Sequence, residues 1–461
     1  MDTQALSQGR NPQDDVKFVK TPQTKAINVV HQDKAHKRDV PPPKQSCLGE
    51  WAKLIAVTGS AQVMVQALGF FGGILVIRLL PTHEYALYIL ANTMLATMTM
   101  LADGGIATGV MSQGGKVWQD KQKLGAVLVT GMQLRKKFAV FSLMLAMPVL
   151  FYLLRKHDAS WLMSGLIVLS LIPAFFTSLS GTLLEIIPKL QQDIAPLQKI
   201  QVAANAGRLA LLGLTLFVYP FAAVAIACAG GSQIWSNWRL RKISYRYVDR
   251  AQAEDLEVRT KILSFVKRIM PGTVYYCFSG QITIWLISIF GTTDVIAQVG
   301  ALSRLAMLFS ILSTLIGILV VPRFARLPNN RKLLCTRFIQ INASVLMLCA
   351  TIFISTWCFP TQFLWILGEK YNGLIIEVIL ISAIGAVGIL VGTILALNSS
   401  RGFLPTWYFY PSSGILAMIG ISHYSDFTTA IGVLNFNLLL MLFSVFSATC
   451  VFFLKLSKDY Q

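Results

Sequence analysis

After about fifty polar residues the chain alternates long apolar runs with short polar links to its end. Most of the runs approach the roughly 20 residues that carry a helix across a bilayer. On that rule twelve candidate spans cover approximately Leu54 to Ile77, Tyr85 to Met111, Phe138 to Leu154, Trp161 to Ile187, Ile200 to Tyr219, Phe221 to Trp235, Pro271 to Phe290, Ala297 to Val320, Phe338 to Phe359, Leu374 to Leu397, Phe403 to Ile421 and Thr429 to Leu454. The fifth and sixth are separated only by Tyr219 and Pro220, and the sixth is short for a span. The expected fold is an all-α polytopic membrane protein.

Residues 1–50, with three prolines at Pro41 to Pro43, have no apolar periodicity and are expected to form a disordered cytoplasmic tail. The first apolar run begins too late for a cleavable signal peptide, so the first span is expected to serve as the insertion signal. The long link from Trp238 to Arg268 divides the spans into two sets of six. The expected domains are therefore a bundle at 51–237, a cytoplasmic linker at 238–268 and a second bundle at 269–461. The segment LLPTHEYALY around Glu84 falls opposite IFGTTDVIAQ around Asp294 at a shift of 210 residues. Six spans per half would relate the halves by an axis along the membrane normal, and transporters so built hold substrate between them.

Composition agrees: 54% hydrophobic residues, 13% charged residues and a mean hydropathy of +0.60 are incompatible with a soluble protein of this size. The net charge of +19 would suit nucleic acid, but the basic residues sit in the links rather than on one aromatic-interleaved patch. Assigned alternately to the two sides, one set of links takes nearly all of them, including Arg135 to Lys137 and the run from Arg239 to Arg268. The other set holds only Arg78, Arg155, Lys156 and Lys370. This bias puts both termini in the cytoplasm. Trp51, Trp161, Trp235, Trp238 and Trp365 lie near span ends, as interfacial anchors do.

The links carry no catalytic platform: no paired carboxylates on the outer side, no Ser/His/Asp set and no phosphate-cradling glycine loop with a lysine. Glu254, Asp255 and Glu257 lie among arginines and lysines and read as a salt-bridged surface helix. The seven cysteines contain no CxxC and suggest neither a metal site nor a disulfide framework. His83, His157 and His423 fall on the outer side, where a solvated histidine is expected. No enzyme activity, cofactor, metal or nucleic-acid partner is expected.

Three charges remain deep within spans: Asp103, Arg208 and Arg304. Hydrocarbon penalises each by a few kcal/mol unless something polar faces it. Asp103 and Arg208 both sit roughly 12 Å from the inner ends of their spans, and Arg304 about 10 Å below the outer end of its own. An Asp103–Arg208 ion pair, and Glu377 as the partner of Arg304, are one reading. The other places Arg208 and Arg304 on a water-filled cavity as substrate-binding residues for an anionic headgroup, with Asp103 as an ion-coupling residue. The context LADGGIATG would permit close helix packing or a local unwinding.

Several segments together are similar to the polysaccharide flippases of the multidrug/oligosaccharidyl-lipid/polysaccharide (MOP) superfamily, the Wzx-like exporters of lipid-linked sugar repeat units. They are RLLPTHEYALYIL at Arg78 to Leu90, the DGG at Asp103 to Gly105, GTTDVIAQVGALSRL, VPRFARL, and FLWILGEKYNG at Phe363 to Gly373. The resemblance implies about twelve transmembrane helices in two six-helix bundles, MATE-like and V-shaped, in a bacterial inner membrane. It implies alternating access for an undecaprenyl-pyrophosphate-linked oligosaccharide used in exopolysaccharide or O-antigen synthesis. Coupling to protons or sodium, and contact with polysaccharide polymerase machinery, come with the same likeness. A MATE-type drug exporter, a peptidoglycan lipid precursor flippase and a non-transporting scaffold for glycan assembly are the competing expectations. Two arginines against one deep aspartate favour an anionic substrate over an organic cation.

Overall fold

The computed structural model describes residues 48–249, 251–325, 327, 328, 330–401, 403 and 408–458. The expected disordered tail falls outside these residues except at its last three positions, which are helical. All regular structure among the described residues is helical. The elements are α1 (Leu48–Leu79), α2 (Thr82–Asp103), α3 (Ile106–Lys116), α4 (Lys121–Lys156), α5 (Trp161–Leu184), α6 (Ile186–Leu190), α7 (Ile194–Leu216) and α8 (Ala222–Ser244). They continue with α9 (Leu256–Phe290), α10 (Thr293–Leu319), α11 (Val321–Ala325), α12 (Arg331–Cys358), α13 (Pro360–Leu367), α14 (Ile375–Ser400), α15 (Phe409–Ser422) and α16 (Ala430–Lys458).

Among the described residues each of the twelve expected spans contains helix, and eight helices are long and apolar enough to cross a membrane. The protein is a polytopic, all-helical membrane protein. Residues Ala52–Gln461 form one compact unit.

Several boundaries differ from expectation for local reasons. The second span is broken: Gly104 and Gly105 adopt φ of +48° and +96°, conformations glycine alone takes without strain, and the chain restarts as α3. Arg135, Lys136 and Lys137 are helical rather than part of a link, because α4 starts at Lys121, where Asp120 accepts from the backbone N–H groups of Gln122 and Lys123. The link expected at 238–268 shortens to 245–255, since α8 runs on to Ser244 and α9 begins at Leu256 behind the Asp255 cap. Glu257–Lys261 at 2.5 Å and Glu254–Arg259 at 3.5 Å are the expected salt bridges, but the helix that carries Glu257 is continuous with the span. Thr292 caps α10, which begins at Thr293, four residues before the expected start of that span. The eleventh span is described from α15 onward, residues 404–407 lying outside the described set.

Helix α2 is the centre of the packing. Two-thirds of its apolar window is buried (67%), against at most 39% for the other spanning helices, and it packs on α4, α5, α8, α9 and α10. Small residues set the approach: a Cβ on Gly300 of α10 would lie 2.6 Å from Ile89 of α2. Gly105, just before α3, and Gly109 of α3 similarly face Ile269 and Ile262 of α9 at 3.1 and 3.0 Å from a would-be Cβ. The helix ends fall on two faces. The basic face carries Lys121, Lys189, Arg241, Lys242, Arg331 and Lys332, and the opposite face carries Pro81, His157, Tyr219, Gly291 and Gly368.

Candidate functional site

The polar positions of α2 are its means of holding other helices. Glu84, in its first turn, accepts the Ala222 N–H at 2.8 Å and so caps α8 from outside, at a helix start that has no side-chain cap of its own. Next to it and one turn on, Tyr85 and Tyr88 are buried with their rings stacked at 6.2 Å between centroids. The three-residue spacing puts both phenols on one side of the helix.

Arg304 and Arg208 converge there. The Arg304 guanidinium lies against the hydroxyls of Tyr85 and Tyr88. Its aliphatic stem crosses α1 at Gly73, where a Cβ would sit 3.1 Å from the Arg304 Cδ and 3.4 Å from Nε. Arg208 reaches the same group from α7, its Nη2–H donating to the Tyr88 hydroxyl at 3.3 Å while its Nε is buried without a partner. The helix register explains the meeting. Arg304 is eleven residues into α10, Arg208 eight from the end of α7 and Tyr88 six into α2. At 1.5 Å per residue these are about 16, 12 and 9 Å from the opposite face, one common level within the membrane. Arg208 is thus closer to the opposite face than the sequence suggested, because α7 ends at Leu216, three residues before the expected end of the span, and it is also farther from the basic face because α7 begins at Ile194.

The Asp103–Arg208 pair considered from sequence does not form. Asp103, the last residue of α2, is ion-paired with Arg135 of α4 and accepts the Ala107 N–H at 3.2 Å, bridging the break between α2 and α3. Arg135 is 3% exposed and also donates to the Leu179 carbonyl and to Thr182 Oγ1. Its burial was missed because three consecutive basic residues look like a solvated link. Their position one turn before the apolar run at Phe138 was the available clue.

The opposite face is held by cations on carbonyl oxygens. Arg78 donates to the Trp365 and Ile366 carbonyls at 2.6 and 3.1 Å and stacks over the Trp365 ring. Lys370 donates to the Leu80 carbonyl at 2.8 Å, and Lys156 to that of Ile289. His157, expected to be solvated, is instead 3% exposed. Its Nε2–H donates to the Ser288 carbonyl at 3.1 Å, which leaves Nδ1 to accept from Thr293 Oγ1 at 3.0 Å. His83 donates to the His157 carbonyl at 2.9 Å. Burial lowers the pKa of the His157 imidazole below its ordinary value. Every one of these contacts except His83–His157 joins residues before 238 to residues after 268. Among the described residues no group of three or more His, Cys, Asp or Glu side chains is placed to hold a metal.

Neither a protein-family model nor a curated protein matches this sequence. Solved structures do. The chain is similar to an inward-facing multidrug resistance MATE family transporter of the MOP superfamily, at 16% identity over 88% of this chain and 99% of that one, with a TM-score of 0.63. It is also similar to the lipid II flippase MurJ in an inward closed conformation, at 11% identity over 86% and 87% of the two chains, with a TM-score of 0.67. An outward-facing MATE transporter of the MOP superfamily is matched at 14% identity over 89% and 96%, with a TM-score of 0.53. The chain therefore has the fold shared by MATE transporters and MurJ.

Proposed function

We propose that this protein is a flippase that carries an undecaprenyl-pyrophosphate-linked oligosaccharide repeat unit across the bacterial inner membrane by alternating access, for exopolysaccharide or O-antigen synthesis. The observation that carries the reading is the meeting of Arg208 and Arg304 at Tyr88. Two guanidiniums drawn to one phenol concentrate positive charge at one membrane level, which favours an anion entering between them. Guanidinium forks match phosphate oxygens two at a time, which suits a pyrophosphate. An organic-cation exporter would be opposed by the same pair, and a scaffold would gain nothing from charges at this depth.

Alternating access is supported by the carbonyl contacts of Arg78, Lys156, His157 and Lys370, which close the opposite face in this conformation. Release of cargo on that side requires them to part. Asp103 enters as the coupling residue together with Arg135: a proton or sodium ion reaching Asp103 competes with the guanidinium, and that competition acts directly on the break between α2 and α3. With cytoplasmic termini, the basic face would be the side of loading.

The likeness to MurJ supports a second reading, in which the cargo is a peptidoglycan lipid precursor carried on the same pyrophosphate. The deciding experiment is leaflet translocation in proteoliposomes of a labelled polyprenyl-pyrophosphate oligosaccharide, by the intact chain, Arg208→Ala and Arg304→Ala. Transport that drops at least about tenfold in either variant, with the fold intact, supports an anion site at Tyr88. Export of organic cations without movement of any lipid-linked sugar would overturn it.

A further inference from the structure

A second basic site lies away from Tyr88, in a cavity of about 240 Å³ between α4, α5 and α8 near the basic face. Arg135, Lys136 and Arg241 supply its charge, and Met132, Phe176 and Leu179 line part of its apolar wall. The charge is unbalanced. Asp103 answers Arg135 alone, while Lys136 and Arg241 are exposed and make no ion pair among the described residues. Arg135, although nine-tenths buried, keeps an Nε without a partner.

Position and surroundings define the ligand. Arg241 is three residues from the end of α8, and Lys136 is two residues before the apolar run of α4, the level at which phospholipid headgroups lie. Trp235 and Trp238, both exposed, mark the membrane interface on α8, with Arg239 and Lys242 stacked on their rings at 5.9 and 3.6 Å. Phe176 is 40% exposed on the same flank. A cavity that joins two unpaired cations to an apolar, lipid-facing wall fits a molecule with a phosphate at one end and hydrocarbon at the other. Basic pockets between helices at this level bind anionic headgroups.

We infer that the α4–α5–α8 cavity binds the phosphate headgroup of an anionic phospholipid of the basic-face leaflet, as a site separate from the arginine pair at Tyr88. Arg241 and Lys136 contact the phosphate, Arg135 forms the floor, and Phe176 and Met132 receive the first carbons of an acyl chain. The inference does not depend on what the protein transports.

The test is native mass spectrometry of the full chain, titrated with phosphatidylglycerol or phosphatidylcholine, for wild type and for the Lys136→Gln/Arg241→Gln double variant. Arg135 is left intact because its ion pair holds α2 to α4. At about one kcal/mol per basic residue near a membrane surface, the double variant is expected to bind the first phosphatidylglycerol roughly thirty-fold more weakly, with phosphatidylcholine binding unchanged. The conservative Lys136→Arg/Arg241→Lys variant is expected to bind like wild type, which separates lost charge from lost fold. Equal binding of the two lipids by wild type, or full retention of phosphatidylglycerol by the glutamine variant, would overturn the site. Competition by inorganic phosphate alone at millimolar concentration would assign it to a free anion and overturn the lipid assignment.

Discussion

Asp103 and Arg135 form an ion pair that joins the last residue of α2 to the middle of α4, beside the two left-handed glycines that end α2. The guanidinium is almost completely buried and the carboxylate is 29% exposed, so the two halves of the pair are not equivalent. Removing the carboxylate leaves a buried cation, whereas removing the guanidinium leaves a carboxylate that water can reach.

Asp103→Asn is accordingly expected to destabilise the protein by about 3 kcal/mol, and Arg135→Met by less. The Asp103→Leu/Arg135→Met double variant is expected to recover most of that loss, because no uncompensated charge remains. Thermal unfolding of the four proteins in one detergent measures this. A double variant as unstable as Asp103→Asn would mean that the pair is not the interaction that matters.

Tyr88→Phe removes the hydroxyl at which Arg208 and Arg304 meet and leaves the ring packing in place. The stability cost is expected to be small, about 1–2 kcal/mol, as for loss of a charge-assisted hydrogen bond. If the phenol holds the two arginines at one level, transport of a lipid-linked pyrophosphate falls in Tyr88→Phe while Tyr85→Phe, which keeps the shared hydroxyl, is affected less. Initial translocation rates in proteoliposomes distinguish the two.

Gly73 provides the seat of the Arg304 stem, and a would-be Cβ already lies 3.1 Å from the Arg304 Cδ. Gly73→Ala displaces that flexible side chain by a few tenths of an ångström and is expected to be tolerated. Gly73→Val pushes Arg304 away from Tyr88 and is expected to lower transport about as much as Arg304→Ala, with the protein still folded by circular dichroism. Wild-type transport in Gly73→Val would remove Arg304 from the site.

On the proposed alternating access, the His157 contacts are expected to make closure of the opposite face dependent on pH. Its pKa is lowered by burial, with Lys156 and His83 acting in the same direction and Asp158 and the Ser288 carbonyl opposing them. A base whose pKa is lower in the closed form binds its proton more weakly there than when open. Closure is therefore complete above the ordinary imidazole value of about 6.5 and weakens as pH falls below it. Spin labels on the links after α4 and after α9 are expected to move apart between pH 7.5 and 5. In His157→Gln, which cannot titrate, the separation is expected to be independent of pH over that interval.

The membrane class, the approximate positions of the helices and three of the charges within them, Asp103, Arg208 and Arg304, were legible in the sequence. An apolar run near twenty residues has one stable form in hydrocarbon, and a charge inside it has no local means of escape. The broken second span was half legible, since LADGGIATG showed the glycines without showing that they take positive φ. Partnership was not legible. Asp103 and Arg208 were equally deep by counting, yet depth leaves the rotational position of a helix open, and packing around α2 turns Arg208 toward Tyr88 and Asp103 toward Arg135. Arg135 and His157 looked solvated because their neighbours in sequence are polar, while the carbonyls that bury them come from Leu179 and Ser288, far along the chain. Sequence determined what must lie in the membrane, because that follows from each residue's own transfer energy. The tertiary structure alone decided which polar groups satisfy one another there, because that depends on the rotation and close approach of helices set by small residues such as Gly73, Gly105 and Gly300.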